Sequence, residues 1–273
     1  MAGFLLFSFP IFSNPKTICL TIPKSGTHLA KKCFILIKKH RPEAQIPLCT
    51  HFYTSHRLPE YMDPEVVPIA KRVNETTRII FLTRDLRDAL VSMMYHFESS
   101  LFFNHIELNT AKWEMDTSVG KVLMEYLTQS NPSDLKKDMF KENVAAFKAF
   151  YGFKNPHVVI KFEDLIGPKG GGDLEAQYKA IYRLAKAIDI ELSVAEVQEI
   201  ADELFGIEGV KPQRDDEHFH IGRRRLPMIG TTTFRKGEIG AWKHQLCSEH
   251  LKEIKDRYQW FLEKFEYEKD ALW

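Results

Sequence analysis

The sequence predicts an α/β fold built on a parallel sheet. Three short runs are apolar at consecutive positions, which is typical of strands buried on both faces: Thr17–Ile22, Arg78–Thr83 and His157–Phe162. Each run leads toward a segment with helical periodicity, as in the βα units of a parallel sheet. A fourth run, Gln45–His51, is a weaker candidate for the same sheet.

Helical periodicity is clearest in the second half of the chain. A helix is predicted from Asp173, with one apolar face made by Leu174, Tyr178, Ile181, Ala185 and Ile188. Ser193 and Glu196 have the spacing of a capping box, which predicts the start of the next helix. A further apolar face near the C-terminus consists of Leu251, Ile254, Tyr258, Phe261 and Phe265.

Length and charge narrow the class of protein. The chain has 273 residues, 44% of them hydrophobic, and a formal net charge of +1. We expect one domain spanning residues 1–273, since no linker or internal repeat divides the sequence. The charge balance does not point to nucleic acid or to an anionic membrane as a partner, although a mononucleotide site needs only a few local cations.

The cysteines and the N-terminus indicate a cytoplasmic protein. Cys19, Cys33, Cys49 and Cys247 include no CxxC pair, so we expect reduced thiols that are half-buried or in the core rather than a zinc site. Residues 1–12 are apolar but lack a basic region and a cleavage site, and they are too short to span a bilayer. We expect them to pack at the edge of the sheet.

The segment Thr21–His28 is a candidate phosphate loop, because it follows the first strand and opens a helix that runs toward Lys39. A helix N-terminus attracts anions through its free N–H groups and dipole. Lys24 adds a full charge, Gly26 allows the backbone to approach a phosphate, and Ser25 and Thr27 add hydroxyl donors. The alternative is a surface turn with an incidental lysine.

The loop is not a Walker A loop, which disfavours a magnesium-dependent kinase. In that pattern a lysine and a hydroxyl residue follow the last glycine, whereas Lys24 precedes Gly26 here. A P-loop kinase of small molecules remains the alternative enzyme, and an inactive nucleotide-binding module the alternative outside catalysis.

Two further segments carry candidate anion ligands. Arg84 ends a strand, where open α/β sheets bind ligands, and Ser92 follows about two helical turns later. Asp85, Arg87 and Asp88 are expected to form a solvated ion-pair cluster of little energetic weight. Late in the chain, Arg235, Lys236 and Gly237 can clamp a phosphate, which arginine does bidentately. By contrast, the glycine-rich stretch 168–173 is expected to be a flexible surface loop.

These segments resemble the sulfotransferases that use 3′-phosphoadenosine 5′-phosphosulfate (PAPS). Pro23–Thr27 is similar to the 5′-phosphosulfate loop of that family, and Arg84–Ser92 to its 3′-phosphate motif. Phe162–Leu165 is similar to its YEDL segment, and Phe234–Lys243 to its late RKGxxGxWK segment. The resemblance implies a single P-loop nucleotide-kinase-like domain with a central parallel sheet of about five strands flanked by helices, and no metal.

The resemblance also implies which residues bind the co-substrate. The residues implied on the 5′ side are Lys24, Ser25, Gly26 and Thr27, and those on the 3′-phosphate are Arg84, Ser92, Arg235, Lys236 and Gly237. Two more cofactor-binding positions depart from the family pattern: His28 stands where cytosolic members carry threonine, and Phe162 replaces a tyrosine. Leu29 replaces the tryptophan that contacts adenine in those members. Their KxxxTVxxxE dimer motif does not occur, so the resemblance leaves the oligomeric state open.

The expected reaction is an in-line sulfuryl transfer. Lys24 would stabilise the leaving phosphate, and Ser92 also belongs to the implied catalytic set. A histidine suits the role of base for the acceptor; His51 is favoured over His56 because Cys-Thr-His-Phe resembles the family's catalytic segment. His96 is expected to pack, and His218 and His220 lack a third metal ligand.

The acceptor is expected to be a small molecule or a carbohydrate with a hydroxyl or amine. The aromatic residues of the segment that lines the pocket in relatives would suit such a ligand or equally serve the core: Phe97, Phe102, Phe103, Trp113 and Tyr126.

Overall fold

The computed structural model describes residues 16–51, 73–99, 112–128, 139–152, 154–205 and 237–270. Within these ranges the strands are β1 (Thr17–Thr21), β2 (Leu48–His51), β3 (Arg78–Thr83) and β4 (His157–Lys161). The helices of this part of the chain are α1 (Thr27–His40), α2 (Leu86–Ser99), α3 (Ser118–Thr128), α4 (Met139–Tyr151), α5 (Phe162–Ile166), α6 (Leu174–Ala187), α7 (Val194–Leu204), α8 (Trp242–Gln245) and α9 (Ser248–Lys264).

The four strands form one parallel sheet in the order β2-β1-β3-β4. The predicted α/β class with a parallel sheet is therefore confirmed, with four strands among the described residues. The three main strands begin where they were predicted, and two of them end one residue earlier than expected. All strands run the same way, so their carboxyl ends meet at one edge of the sheet.

Side chains alternate across the sheet and enter two cores. Ile18 and Phe81 point into one core together with α2, α3, α4 and α9, whereas Cys19 and Leu82 point into the other with α1, α6 and α7. Both faces of the central strands β1 and β3 are thus buried, which explains why they are apolar at consecutive positions. The strand β4 was also expected to be buried on both faces, but it lies at the edge of the sheet and only Ile160 is buried in it. The four cysteines are free and buried, as predicted.

The helices confirm most of the predicted periodicity. α6 begins after Asp173, whose carboxylate accepts the Ala176 N–H, and α7 begins at the predicted capping box of Ser193 and Glu196. Leu174 was expected on the buried face of α6, but it lies in the first turn and is 44% exposed. Periodicity alone therefore overestimates burial at this helix end.

The glycine-rich stretch 168–173 lies largely at the surface, as expected, but part of it is folded and buried. It forms a 3₁₀ turn at Pro168–Gly170, and Gly170 is buried. A Cβ placed on Gly170 would lie 2.3 Å from a side-chain carbon of Ile166 and 3.0 Å from the Gly237 carbonyl oxygen. The turn therefore packs closely against the start of the late segment.

Candidate active site

The connection from β1 to α1 is a tight loop at the carboxyl edge of the sheet. Lys24 and Gly26 both have left-handed backbone angles, with φ of 68° and 97°. The Ser25 N–H donates to the Ile22 carbonyl at 3.0 Å, which closes the turn. A left-handed lysine is uncommon, and such conformations concentrate where the backbone shape serves a ligand.

Hydroxyl groups line the inside of this loop. The Thr21 and Thr27 hydroxyls lie 2.7 Å apart and join the end of β1 to the start of α1. Ser25 is fully buried, and its Oγ has no hydrogen-bond partner within the described residues. A buried hydroxyl without a partner is costly, so this oxygen is available for a ligand.

The aromatic ring of Phe162 supports the loop. A Cβ added to Gly26 would lie only 2.5 Å from Phe162 Cδ2, so the glycine is required both by its backbone angle and by this ring. The guanidinium carbon of Arg84 lies 4.3 Å from the centre of the same ring. Phe162, which the resemblance placed at the cofactor, is 3% exposed and lies between the loop glycine and Arg84.

Arg84 connects the first and the last of the predicted anion-binding segments. Its Nη1 donates to the Lys24 carbonyl at 3.0 Å, and its Nη2 donates to the Glu238 carbonyl at 3.2 Å. Nε is buried and has no hydrogen-bond partner among the residues described. Burial lowers the pKa of Arg84, but arginine remains charged at any physiological pH. The structure thus brings Arg84 together with Lys24 and the residue after Gly237.

The charges that follow Arg84 are buried, which corrects the expectation of a solvated cluster. Arg87 and Asp88 are 2% and 1% exposed. Arg87 forms a bidentate pair with Asp85, also contacts Glu268, and its guanidinium carbon lies 3.9 Å from the centre of the Trp242 ring. Removing one partner of a buried pair of this kind is strongly destabilising, whereas losing a surface pair costs little.

Asp88 holds the late segment in place. Its carboxylate accepts the Gly240 N–H at 2.7 Å and the Trp242 N–H at 3.0 Å. Burial raises the pKa of Asp88, while the positive charge of Arg84 and these two hydrogen bonds oppose that rise. Ser92 lies one helical turn after Asp88 and is half-buried, on the face of α2 that meets this segment.

Other predicted site residues lie partly or wholly outside the residues that the structure describes. The backbone of His51 pairs in register with Thr21, directly before the phosphate loop, but its side chain lies outside the described atoms. The same holds for six other side chains: those of His56, His96, His218, His220, Arg235 and Lys236. Gly237 is described and has a left-handed φ of 64°.

Two basic side chains of this loop, Lys24 and His28, have lowered pKa values. Burial, and then the neighbouring charge of Arg84, lower the pKa of Lys24 to about 8. Desolvation, and then the charges of Lys31 and Lys24, lower the pKa of His28, although this residue is exposed. Crowded positive charge disfavours protonation until an anion compensates it.

The structure describes only two of the five aromatic side chains considered for the acceptor pocket. Trp113 and Tyr126 are buried in the core beside α2 and α3, so for these two the core alternative is correct. Phe97, Phe102 and Phe103 lie outside the described side chains.

Sequence reasoning missed three residues next to the site. Glu163 accepts the Asp85 N–H at 2.9 Å, Tyr267 bonds to Glu163, and Glu268 contacts Arg87. Only Glu163 had a signal, because it belongs to the segment that resembles YEDL. Tyr267 and Glu268 lie more than 180 residues from their partners Thr83 and Arg87, and no local pattern marks them.

Comparison with known proteins decides the family. The model of the sulfotransferase domain family matches residues 14–268, nearly the whole chain. The chain belongs to the sulfotransferase family. This membership confirms the enzyme class and the co-substrate PAPS that the four motifs predicted.

Solved structures of sulfotransferase fold are similar over most of the chain. A mouse sulfotransferase in complex with PAP aligns with a TM-score of 0.57 at 15% identity, covering 92% of this chain and 87% of its own. Retinol dehydratase in complex with androsterone and the inactive cofactor PAP aligns with a TM-score of 0.50 at 18% identity, covering 90% of this chain and 80% of its own. Retinol dehydratase in a complex with retinol and PAP aligns with a TM-score of 0.50 at 17% identity, covering 91% of this chain and 82% of its own. A search of curated sequences finds no match.

The residues of this sulfotransferase fit a nucleotide with phosphate groups at both ends of its ribose. Ser25 Oγ and Arg84 Nε are buried polar atoms without protein partners in the described part of the chain, and Lys24 and the N-terminus of α1 add positive charge. In the same ranges no three His, Cys, Asp or Glu side chains form a metal-binding group. No helix there has both the length and the apolar character needed to cross a membrane.

Proposed function

We propose that this sulfotransferase transfers the sulfuryl group of PAPS to a hydroxyl or amine of a small-molecule or carbohydrate acceptor, by in-line displacement. The observation that carries the proposal is the junction at Arg84, where the phosphate loop, the end of β3 and the late segment are bonded together around buried polar atoms that lack protein partners in the described part of the chain.

The binding roles follow from this junction. Lys24, Ser25 and Thr27 with the first turn of α1 would hold the 5′ side of the nucleotide, and His28 would lie beside it. Arg84 and Ser92 would hold the 3′-phosphate together with Arg235, Lys236 and Gly237. PAPS would supply the sulfuryl group and leave as adenosine 3′,5′-bisphosphate (PAP).

Lys24 and His51 would have separate roles in the reaction, one at the leaving group and one at the acceptor. The ammonium of Lys24 would stabilise charge on the departing phosphate; its pKa of about 8 keeps it mostly protonated near neutral pH, and a bound anion would raise that pKa. His51 would take the proton of the acceptor. The register of its backbone with Thr21, three residues before Lys24, supports this division because both residues leave the same edge of the sheet.

The experiment combines binding with turnover. Thermal shift is measured with PAP and with ATP plus Mg²⁺, and transfer from PAPS is followed by mass spectrometry on a panel of phenols, alcohols, amines and sugars. Androsterone and retinol are included because the structural neighbours hold them. Stabilisation by PAP together with EDTA-resistant transfer supports the proposal. Stabilisation by ATP and Mg²⁺ alone would favour a kinase, and PAP binding without transfer to any acceptor would favour an inactive module.

Two histidine variants test the assignment of the base. His51→Ala is expected to lower kcat by about 10²–10⁴ and leave PAP affinity unchanged, because proton transfer is lost but no nucleotide contact is. His56→Ala is the matched control and is expected to stay active. The opposite result would move the role of base to His56.

A further inference from the structure

The turn after α9 inserts a tyrosine beside the end of β3. The Tyr267 N–H donates to the Leu262 carbonyl at 2.7 Å, which folds the chain back over the helix end. Its ring stacks on Phe261, with ring centres 6.3 Å apart. The hydroxyl then lies 3.1 Å from Thr83 Oγ1 and 3.0 Å from Glu163 Oε2.

The two residues on either side of Arg84 are thereby held. The Thr83 side chain is bonded by Tyr267, and the Asp85 N–H donates to Glu163 Oε1 at 2.9 Å. These two tethers meet, because Tyr267 also bonds to Glu163. Arg84 thus sits in a backbone segment fixed from both ends by side chains from distant parts of the chain.

We propose that Glu163 and Tyr267 are positioning residues that set the place of Arg84 for the 3′-phosphate. The inference rests on the proposed function, because it assumes that Arg84 binds that phosphate. Two Arg84 nitrogens already donate to carbonyls of the loop and the late segment, so the direction left for Nε depends on where the backbone at 83–85 is held. Glu163 and Tyr267 act through Arg84 and need not touch the nucleotide.

The charges around Glu163 favour this role. Arg84 and Asp85 face it from the connection between β3 and α2, and Tyr267 faces it from the C-terminal turn. Burial raises the pKa of Glu163 to about 7, and it raises the pKa of Tyr267 well above the usual value. The tyrosine therefore keeps its proton and can donate it to the carboxylate of Glu163.

The test is the selectivity between two nucleotides that differ only at the 3′ position. Tyr267→Phe removes the hydroxyl and keeps the ring that stacks on Phe261. Calorimetry measures the Kd of PAP and of adenosine 5′-monophosphate (AMP) for each protein. Tyr267→Phe is expected to raise the Kd of PAP about tenfold and the Kd of AMP less than twofold. Tyr258→Phe, at a buried tyrosine of α9 that packs on Phe140, is the matched control and is expected to change neither.

A second pair of variants keeps the inference testable if one protein is unstable. Glu163→Gln can still accept the Asp85 N–H and should retain most of the selectivity, whereas Glu163→Ala should lose it. Equal weakening of PAP and AMP in Tyr267→Phe and Glu163→Ala would show a merely structural role and overturn the inference. If the wild-type protein itself does not prefer PAP to AMP, the assignment of the 3′-phosphate to Arg84 fails, which is a failure of the proposed function.

Discussion

Replacing Gly26 with alanine should damage the phosphate loop for two separable reasons. The first is the backbone, because φ is 97° and an L-residue in this region costs about 1–2 kcal/mol. The second is the ring of Phe162, since the new Cβ would lie 2.5 Å from its Cδ2. Phe162 is 3% exposed and cannot withdraw freely, and overpacking of this kind costs about 1–3 kcal/mol.

Gly171 provides a matched control for the backbone part. Its φ is 88°, close to that of Gly26, but a Cβ there would meet no atom within 4 Å. Gly171→Ala should therefore cost about 1–2 kcal/mol, and Gly26→Ala about 2–5 kcal/mol in total. The difference between the two variants measures the contact with Phe162 alone.

The assay is thermal unfolding together with PAP binding. Gly26→Ala is expected to lower Tm by roughly 5–15 °C, and Gly171→Ala by a little under half of that. Only Gly26→Ala should weaken PAP, because only that loop is shifted. Adding Phe162→Leu to Gly26→Ala should recover part of the loss, as a double-mutant cycle would show. Equal Tm losses in the two alanine variants would refute the argument that the ring constrains the loop.

Three further variants test the charges of the site. Arg84→Ala should weaken PAP by about 1.5–3 kcal/mol and AMP hardly at all in calorimetry; equal losses would contradict its role at the 3′-phosphate. Asp88→Asn should lower the free energy of unfolding by about 1–3 kcal/mol, because one of the N–H groups of the late segment loses its acceptor. Glu163 has a pKa raised from 4.5 to about 7, so the native state binds the extra proton and wild-type stability should fall as pH rises through this interval, by up to about 3 kcal/mol. Glu163→Gln should remove that fall in urea titrations between pH 5 and 8, and an unchanged slope would exclude Glu163 as its source.

The sequence predicts the scaffold well because its signals are local. A strand buried on both faces must be apolar at consecutive positions, so β1 and β3 can each be predicted from a few neighbouring residues. The capping box at Ser193 is similarly complete within four residues. The phosphate loop is short and continuous, so the residue types that suit an anion stand next to one another in the chain.

The missed features all depend on partners far along the chain. Arg87 and Asp88 look like part of a solvated cluster because the groups that contact them, from Gly240 onward, are more than 150 residues away. Sequence periodicity reports the face of a helix, but it does not report what covers that face. The same reason hides the contact of Tyr267 with Thr83.

The burial of these charges also bears on the substitution of phenylalanine for tyrosine at position 162. Phe162 stands where the family carries tyrosine, and its ring packs on Gly26 on one side and on the Arg84 guanidinium on the other. Both contacts use the ring face or edge and need no hydroxyl, so the phenylalanine can support the loop and the arginine as tyrosine would. Its 3% exposure means that a hydroxyl there would need a buried partner. We therefore expect the substitution to leave the proposed phosphate contacts intact, and any difference from tyrosine-bearing relatives should appear in the affinity for the adenine base rather than for the phosphates.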